Sequence, residues 1–413
     1  MPGRPRVLAM IMAGGKGERL HPLTRERSKP AVPFGGRHRI IDFVLSNFVN
    51  SEMHSLYVLV QYKSQSLIEH LRLTWRTSGM ISDYFVTVVP PQMRTGPAWY
   101  RGTADAVLQN LNLMDDFTPD IVAVFGADHV YRMDVNQMLT FHRESGADVT
   151  VAARPVPLAD ASQFGVVTVD RAARVVDFRE KPPTASAMPG DPQRAYASMG
   201  NYLFSRAPLV DALLADARRS TEHDFGRSII PELVPTGRVF AYDFQSNDVP
   251  GIKPYEEPGY WRDVGTIQAY WDAHMDLLGE SPRFDLDNRY WPIRTGAHPG
   301  PPARFIGSDV DNAHVGEASL IKRAVIRNSI LGRGVWVNEG AVIEDSIIMD
   351  STTVGKNARV RRAIVDRFNI IPADAEIGFD PRSDRRRYHV DPSGLVVLPR
   401  GGRRDFLTSL DDQ

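Results

Sequence analysis

Residues Val7–Pro33, VLAMIMAGGKGERLHPLTRERSKPAVP, decide how this chain is read. The run Val7–Met12 is apolar throughout and short, the pattern of a strand buried on both faces. Gly14, Gly15 and Gly17 follow it directly, and without side chains they let backbone N–H groups approach a phosphate. Lys16, Arg19, Arg25, Arg27 and Lys29 crowd cations around the same loop. A strand that opens into a glycine-rich, cationic loop is a place to hold a polyphosphate. The spacing matches neither GxxxxGK[ST] nor GxGxxG, so the loop belongs to neither of the commoner phosphate-binding types.

Composition bounds what surrounds this loop. The 413 residues are too many for one ordinary core and predict two or three domains. Lys and Arg number 49 against 50 Asp and Glu, a net charge of −1. Such a balance gives no field that would gather nucleic acid or an anionic membrane. The absence of cysteine excludes disulfides and thiolate chemistry. The N-terminus lacks the apolar stretch of a signal peptide, and no run is long enough to span a bilayer. The expectation is a cytoplasmic enzyme.

Strand-like runs at Val7–Met12, Leu56–Val60, Val86–Val89, Ile121–Phe125 and Val149–Ala153 alternate with helical patterns at Ile40–Asn50, Ser64–Arg72, Thr103–Leu113 and Val135–Ser145. This alternation predicts an α/β fold with a mostly parallel sheet. Its ligands would lie beyond the carboxyl ends of the strands, where the glycine loop and Asp128 both fall. The runs Gly165–Val169, Val175–Glu180 and Tyr196–Phe204 look like antiparallel additions carrying a second substrate. From about Phe305 aliphatic residues recur roughly every six positions: Val315, Ile321, Leu331, Val337, Ile343, Met349, Val354, Val360, Ile371 and Ile377. A hexapeptide repeat of this kind predicts a parallel β-helix. The division expected is 1–280, a linker at 281–302, and 303–413. Tyr290, Trp291 and Ile293 suggest that the linker packs on something, and Arg385–Arg387 reads as a solvated or interface charge cluster.

Further motifs follow in order. WYRGTADA, Trp99–Ala106, places Gly102 and a helix start, capped by Thr103, where backbone can approach a base or phosphate. Tyr100 there can pack on a purine. Asp128 in FGADHVY sits just past an apolar strand, where a carboxylate reaches solvent and metal. FREKP puts Glu180 and Lys181 at a strand end, SMGNY brings Ser198 beside a glycine turn, and YWRDVGT supplies a second carboxylate, Asp263.

The blocks GGKGERLHPLTRERSKPAVPFGG, RIIDFVLSN, QYKSQSL, WYRGTADA, GADHVYRMD, FREKP, SMGNY, HDFG and YWRDVGT together resemble the bacterial glucose-1-phosphate adenylyltransferases, one group of the sugar-nucleotide pyrophosphorylases. The likeness spans nearly the whole chain. It implies a Rossmann-like nucleotidyltransferase domain followed by a left-handed parallel β-helix of hexapeptide repeats. It implies ATP and glucose 1-phosphate as substrates, ADP-glucose and pyrophosphate as products, Mg²⁺ as cofactor, phosphorylated metabolites as effectors, and a homotetramer. By motif, Arg19, Arg27 and Lys29 would be the phosphate-side cations, acting with Asp128, and Asp128 and Asp263 would hold the metal. Gly14, Gly15, Gly17, Tyr100, Gly102 and Thr103 would contact ATP. Tyr100, Gly165, Glu180, Lys181 and Ser198 would contact the sugar phosphate. Arg37, Arg39, Gln61 and Trp99 would serve regulation.

The chemistry is compatible with that resemblance. The attacking phosphate oxygen is already ionised, its second pKa being about 6, so no base is required. The sequence accordingly shows no Ser–His–Asp or Cys–His set. Two departures stand out: Arg37 occupies a position where the family often has lysine, and Ala127 precedes Asp128 where many relatives have glycine. Three other readings remain open at this level. A hexapeptide acyltransferase would need a histidine between coils, and only His298 and His314 lie near. A regulatory subunit would show eroded site residues, and here they are intact. A pyrophosphorylase for another nucleotide or sugar is separated only by the resemblance.

Overall fold

In the computed structural model, residues 4–76, 83–94, 96 and 98–403 are described. The tail from 404, included in the last expected domain, lies outside them. Strand β1 (Val7–Met12) pairs in parallel with β2 (Ser55–Leu59) on one side and β4 (Ile121–Gly126) on the other, and β2 pairs in parallel with β3 (Phe85–Val89). Helices α1 (Ile40–Asn50) and α2 (Gln65–Thr74) lie between β1 and β3 in the chain. The register sets Met12 beside both Leu59 and Gly126, so the glycine loop, Gln61 and Asp128 all leave the sheet at one end. Leu8 and Met10 are buried toward one core, and Ala9 and Ile11 toward another. Burial on both faces is why the strand reads as an unbroken apolar run.

The helical stretch expected at Thr103–Leu113 is two helices, α3 (Thr103–Leu108) and α4 (Leu111–Phe117). Asn110 sits at the break, where its side-chain amide donates to the Ala106 carbonyl at 2.8 Å and to the Tyr100 hydroxyl at 2.9 Å. Helix α5 (Val135–Glu144) is capped by Asp134. The antiparallel part comprises β6 (Val149–Pro157), β7 (Gly165–Val169), β8 (Val175–Glu180) and β9 (Arg194–Ser205). Strand β9 joins it to β4. Helices α6 (Arg206–Ala217) and α7 (Ile230–Thr236) follow, then β10 (Val239–Asp243), which pairs in parallel with β6.

Residues 304–398 form the left-handed parallel β-helix. Val325, Val342, Arg359 and Glu376 stack in register, each 17 residues after the last. Ile321, Val337, Val354 and Ile371 fill one column of the interior, and Ile326, Ile343, Val360 and Ile377 another. Corners are turned by left-handed residues that also recur coil by coil: Asn328, Asp345 and Arg362 at φ 43, 46 and 47°. Asn and Asp accept that conformation readily, whereas Arg does so at a steric cost. Met349, expected as an inward residue, instead faces the N-terminal half, and Ile348 points into the solenoid.

The two halves share a core. Leu20, Leu23, Val32, Phe34 and Tyr270 pack with Ile330, Ile347, Ile364 and Val397, so three successive coils each contribute an isoleucine to the interface. Helix α8 (Ile267–Met275) lies along this face, where the Trp271 indole donates to the Asp345 carbonyl at 3.0 Å. Residues 281–302 pack on the N-terminal half: Phe284 stacks on Tyr260 at 4.6 Å, and Trp291 and Ile293 are buried, while Tyr290 is exposed. At the centre of the interface the buried Arg27 guanidinium pairs with the buried Asp366 carboxylate. Removing one partner of a buried ion pair strands the other charge, at about 3–5 kcal/mol. Asp366→Ala should therefore lower the urea or thermal midpoint markedly, and Arg27→Met with Asp366→Leu should recover most of the loss. Parent-like unfolding of the single variant would show that the pair does not hold the halves together.

Candidate active site

Three chain segments converge at the carboxyl end of the sheet. Lys29 opens a single 3₁₀ turn, Lys29–Ala31, and is buried, its side chain only 7 % exposed. Its ammonium lies 3.0 Å from Asp128 Oδ2 and 2.7 Å from Asp263 Oδ1. Asp128 follows β4 directly. His129 begins β5 (His129–Tyr131), which pairs antiparallel with β11 (Trp261–Asp263), so that Asp263 stands opposite His129. Gly17 is required beside them: its φ is 64°, and a Cβ there would come within 2.9 Å of Lys29 Cβ. Arg19 reaches Asp263 at 3.7 Å from an exposed position.

The electrostatics follow from this packing. Burial pushes the Asp128 carboxyl up, but His129 and Lys29 more than reverse it and hold the carboxyl well below its ordinary range. Burial would likewise lower the Lys29 ammonium, yet Asp128 and Asp263 leave it above its ordinary value. Asp128 remains 40 % exposed, so a ligand can reach it. Ligand atoms of Asp128, His129 and Asp263 lie within 4.8 Å of one another. The two carboxylates are the oxygen donors that a hard divalent cation takes, with the imidazole a softer neighbour. His129, which stacks on Trp261 at 4.6 Å, is the member that sequence reasoning missed, although it adjoins Asp128 in the quoted motif.

A second cluster flanks the first. Strands β7 and β8 pair so that Gly165 lies opposite Glu180, and a Cβ on Gly165 would come within 2.8 Å of Glu180 Oε2. Glu180 is pushed up by burial and by Asp224, against the pull of Lys181. The Lys181 ammonium is half-exposed, 3.9 Å from Glu180. Strand β9 bulges between Ser198 and Tyr202, and the Ser198 hydroxyl accepts from the Gly200 N–H at 3.2 Å. Asp224 and Tyr202 face this group too and were not singled out from the sequence; the HDFG motif that contains Asp224 was the available signal.

Other expected residues are placed as follows. Gly14 packs on Gln61, whose side-chain amide donates to the Tyr100 carbonyl at 3.2 Å; Gly15 faces open space. Trp99 is exposed. Gly102 occupies the cap position of α3, so Thr103 does not cap it. The amides of Ala104 and Asp105 already donate to the His223 carbonyl, which closes that helix start to a phosphate. Thr103 instead donates to Asp224 Oδ2 at 2.8 Å. Arg27 is not among the cations at Lys29, being turned to Asp366. Arg37 pairs with Glu317 of the β-helix at 3.4 Å, and Arg39 is held by the Ala31 carbonyl and by Ser66.

A parallel sheet with a cationic glycine loop and two lysine-bridged aspartates at its carboxyl end defines a nucleotidyltransferase. Comparison with known proteins agrees: residues 8–280 match the nucleotidyl transferase family model and 301–398 the GlmU-like C-terminal hexapeptide model. A glucose-1-phosphate adenylyltransferase of Thermodesulfovibrio yellowstonii is 53 % identical over 98 % of this chain and 99 % of its own length. Namesakes from an Anaeromyxobacter species and Deinococcus radiodurans are 50 % and 46 % identical, each over 96 % of this chain and 99 % of their own. The chain belongs to the glucose-1-phosphate adenylyltransferase family.

The bridge makes a pH-dependent contribution to stability. A depressed carboxyl stabilises above its ordinary pKa and loses that contribution as pH falls; a raised ammonium stabilises below its ordinary value and loses it as pH rises. Lys29→Met should thus be most destabilised relative to the parent near neutral pH, and the gap should narrow below about pH 4. Thermal midpoints measured from pH 7 down to about 2 test this, because the contribution is lost between the ordinary and the depressed carboxyl value; a constant gap would show that the Asp128 carboxylate does not depend on the ammonium.

Proposed function

We propose that this protein transfers the adenylyl group of ATP to α-D-glucose 1-phosphate, giving ADP-glucose and pyrophosphate, the glucosyl-donor step of glycogen synthesis. The observation that carries the reading is the Lys29 bridge between Asp128 and Asp263, set beside a cluster whose acceptors are carboxylates. Glu180 and Asp224 suit the hydroxyl donors of a sugar, and Lys181 at the rim suits its phosphate as a point charge. Gly14, Gly15, Gly17 and Tyr100 would line the nucleotide side, with Arg19 and Lys29 toward the phosphates. Asp128 and Asp263, with His129 alongside, would hold Mg²⁺, which supplies charge neutralisation at the reacting phosphates. The sugar phosphate needs no deprotonation, so these residues act by positioning and by offsetting charge. We divide the chain for this purpose into catalytic residues 1–280, a strap at 281–302 and the β-helix from 303.

Purified protein assayed with Mg²⁺ against several nucleoside triphosphates and sugar phosphates tests the reading, with ATP and glucose 1-phosphate expected as the preferred pair. In the same assay Lys181→Ala should raise the KM for glucose 1-phosphate more than about tenfold and leave the KM for ATP nearly unchanged, because the contact is made in ground and transition states alike. An effect falling mainly on ATP would reverse the two sides of the cleft.

Regulation by a phosphorylated metabolite belongs to the same reading, with Arg37 and Arg39 as its cations, Gln61 and Trp99 in transmission, and a homotetramer as the assembly. Arg37 lies in the turn that meets the β-helix, and Arg39 on the short strand that leaves it. Burial, with Arg367 and Arg27 nearby, pushes Arg39 down to about 9, the mark of a crowded cationic interface suited to an anion. Fructose 6-phosphate, glucose 6-phosphate or fructose 1,6-bisphosphate should activate, with a coupling of about 1–3 kcal/mol. Arg37→Ala should abolish that activation and spare most basal turnover; unchanged activation curves across all three would place the effector elsewhere.

A further inference from the structure

The last turn of α6 and the loop that follows it hold a buried pair that the proposed chemistry does not use. His223 Nδ1 lies 2.7 Å from Asp216 Oδ2, and the other carboxylate oxygen accepts from the Thr221 hydroxyl at 2.7 Å. Both side chains are sealed from solvent, His223 at 6 % and Asp216 at 3 % exposure. A carboxylate only accepts, so the imidazole donates from Nδ1. The Thr221 hydroxyl in turn accepts from the His223 backbone N–H at 3.1 Å. His223 is thereby held at φ 51°, a left-handed conformation that a residue other than glycine keeps only when its surroundings fix it.

That conformation has consequences on both sides. It aims the His223 carbonyl at the start of α3, where the amides of Ala104 and Asp105 donate to it at 2.8 and 3.3 Å. Gly102 makes room, since a Cβ there would come within 2.3 Å of the same oxygen. The next residue is Asp224, whose Oδ1 accepts from the Gly226 N–H at 2.9 Å. Gly226 in turn lies against Glu180: a Cβ on it would be 3.1 Å from Glu180 Oε2 and 3.4 Å from Asp224 Oδ1.

We propose that the Asp216–His223 pair is a positioning device for the sugar side of the site, fixing where Asp224 stands relative to Glu180. This inference rests on the assignment of that side to glucose 1-phosphate. The segment leading into α3 has anchors of its own. Arg101 pairs with Asp105 at 2.7 Å, the Gln109 amide donates to Asp105 at 2.9 Å, and Asn110 holds the Tyr100 hydroxyl. Among the described residues, the Asp224 carboxylate is held only by Thr103 and its own turn. Loosening the pair therefore moves the sugar-facing carboxylate and leaves the nucleotide segment in place.

The test is steady-state kinetics of the full chain with Mg²⁺, ATP and glucose 1-phosphate. Asp216→Asn keeps the shape but cannot accept from both donors. His223→Val removes the donor and is strained at this φ, while His223→Asn tolerates it and keeps an amide toward Asp216. The first two variants should raise the KM for glucose 1-phosphate at least about fivefold, with kcat and the KM for ATP within about twofold; His223→Asn should stay within about twofold throughout. Equal changes in both KM values, a fall in kcat alone, parent-like kinetics in Asp216→Asn, or His223→Asn as damaged as His223→Val would each overturn the proposal. If His223→Val fails to fold, Asp216→Asn decides. A parent that does not use glucose 1-phosphate would overturn the reading of the site itself, and this inference with it. With a parent that does use it, the variants test the pair alone.

Discussion

The Lys29 ammonium between Asp128 and Asp263 is the contact on which the rest of the site depends. Two carboxylates held together in a partly buried place repel and resist ionisation. One fixed cation placed between them offsets the repulsion and holds the Asp128 carboxyl below its ordinary range. To put it there the chain needs a left-handed glycine at 17, a 3₁₀ turn at 29, and the short β5–β11 ladder that carries Asp263 across to Asp128. Each would be a minor local feature without the others.

The same stretch of chain also faces the β-helix. Arg27 and Lys29 are two residues apart, yet one guanidinium is buried against Asp366 and the ammonium lies in the cleft. Arg39 donates to the Ala31 carbonyl at the end of the turn that Lys29 begins. A displacement at the interface therefore has a short covalent and hydrogen-bonded path to the bridge. In this architecture the solenoid is a structural wall of the catalytic half, with Ile330, Ile347 and Ile364 serving as core residues for both.

Local pattern makes much of this legible. The ends of β1, α1, β7 and β8 fall where apolar runs meet charged or turn residues, because both faces or one stripe of each is buried. Asp128 is visible in the sequence because it follows an apolar strand, and Asp263 because its motif runs into the start of a helix. What stays hidden depends on distant partners. Nothing near Arg27 signals Asp366, which lies more than three hundred positions on. Thr103 has the chemistry of a cap, but the His223 carbonyl reaches the helix amides first, and only the folded loop shows it. The break in the predicted helix at Asn110 likewise depends on the Tyr100 hydroxyl, which draws its amide. Hexapeptide spacing locates the solenoid but misassigns Met349, because an interface residue and an interior residue are adjacent there and both are apolar.

The left-handed corners set a rule for how this molecule can change size. Val325, Val342, Arg359 and Glu376 align because these circuits are each 17 residues long and turn at the same places, whereas the circuit before them, from Asp309 to Val325, closes in 16. A whole added circuit would renew the stacking, and residues beyond a circuit have to be looped out, as the helix Pro381–Arg387 is between Ile364 and its partner Val397.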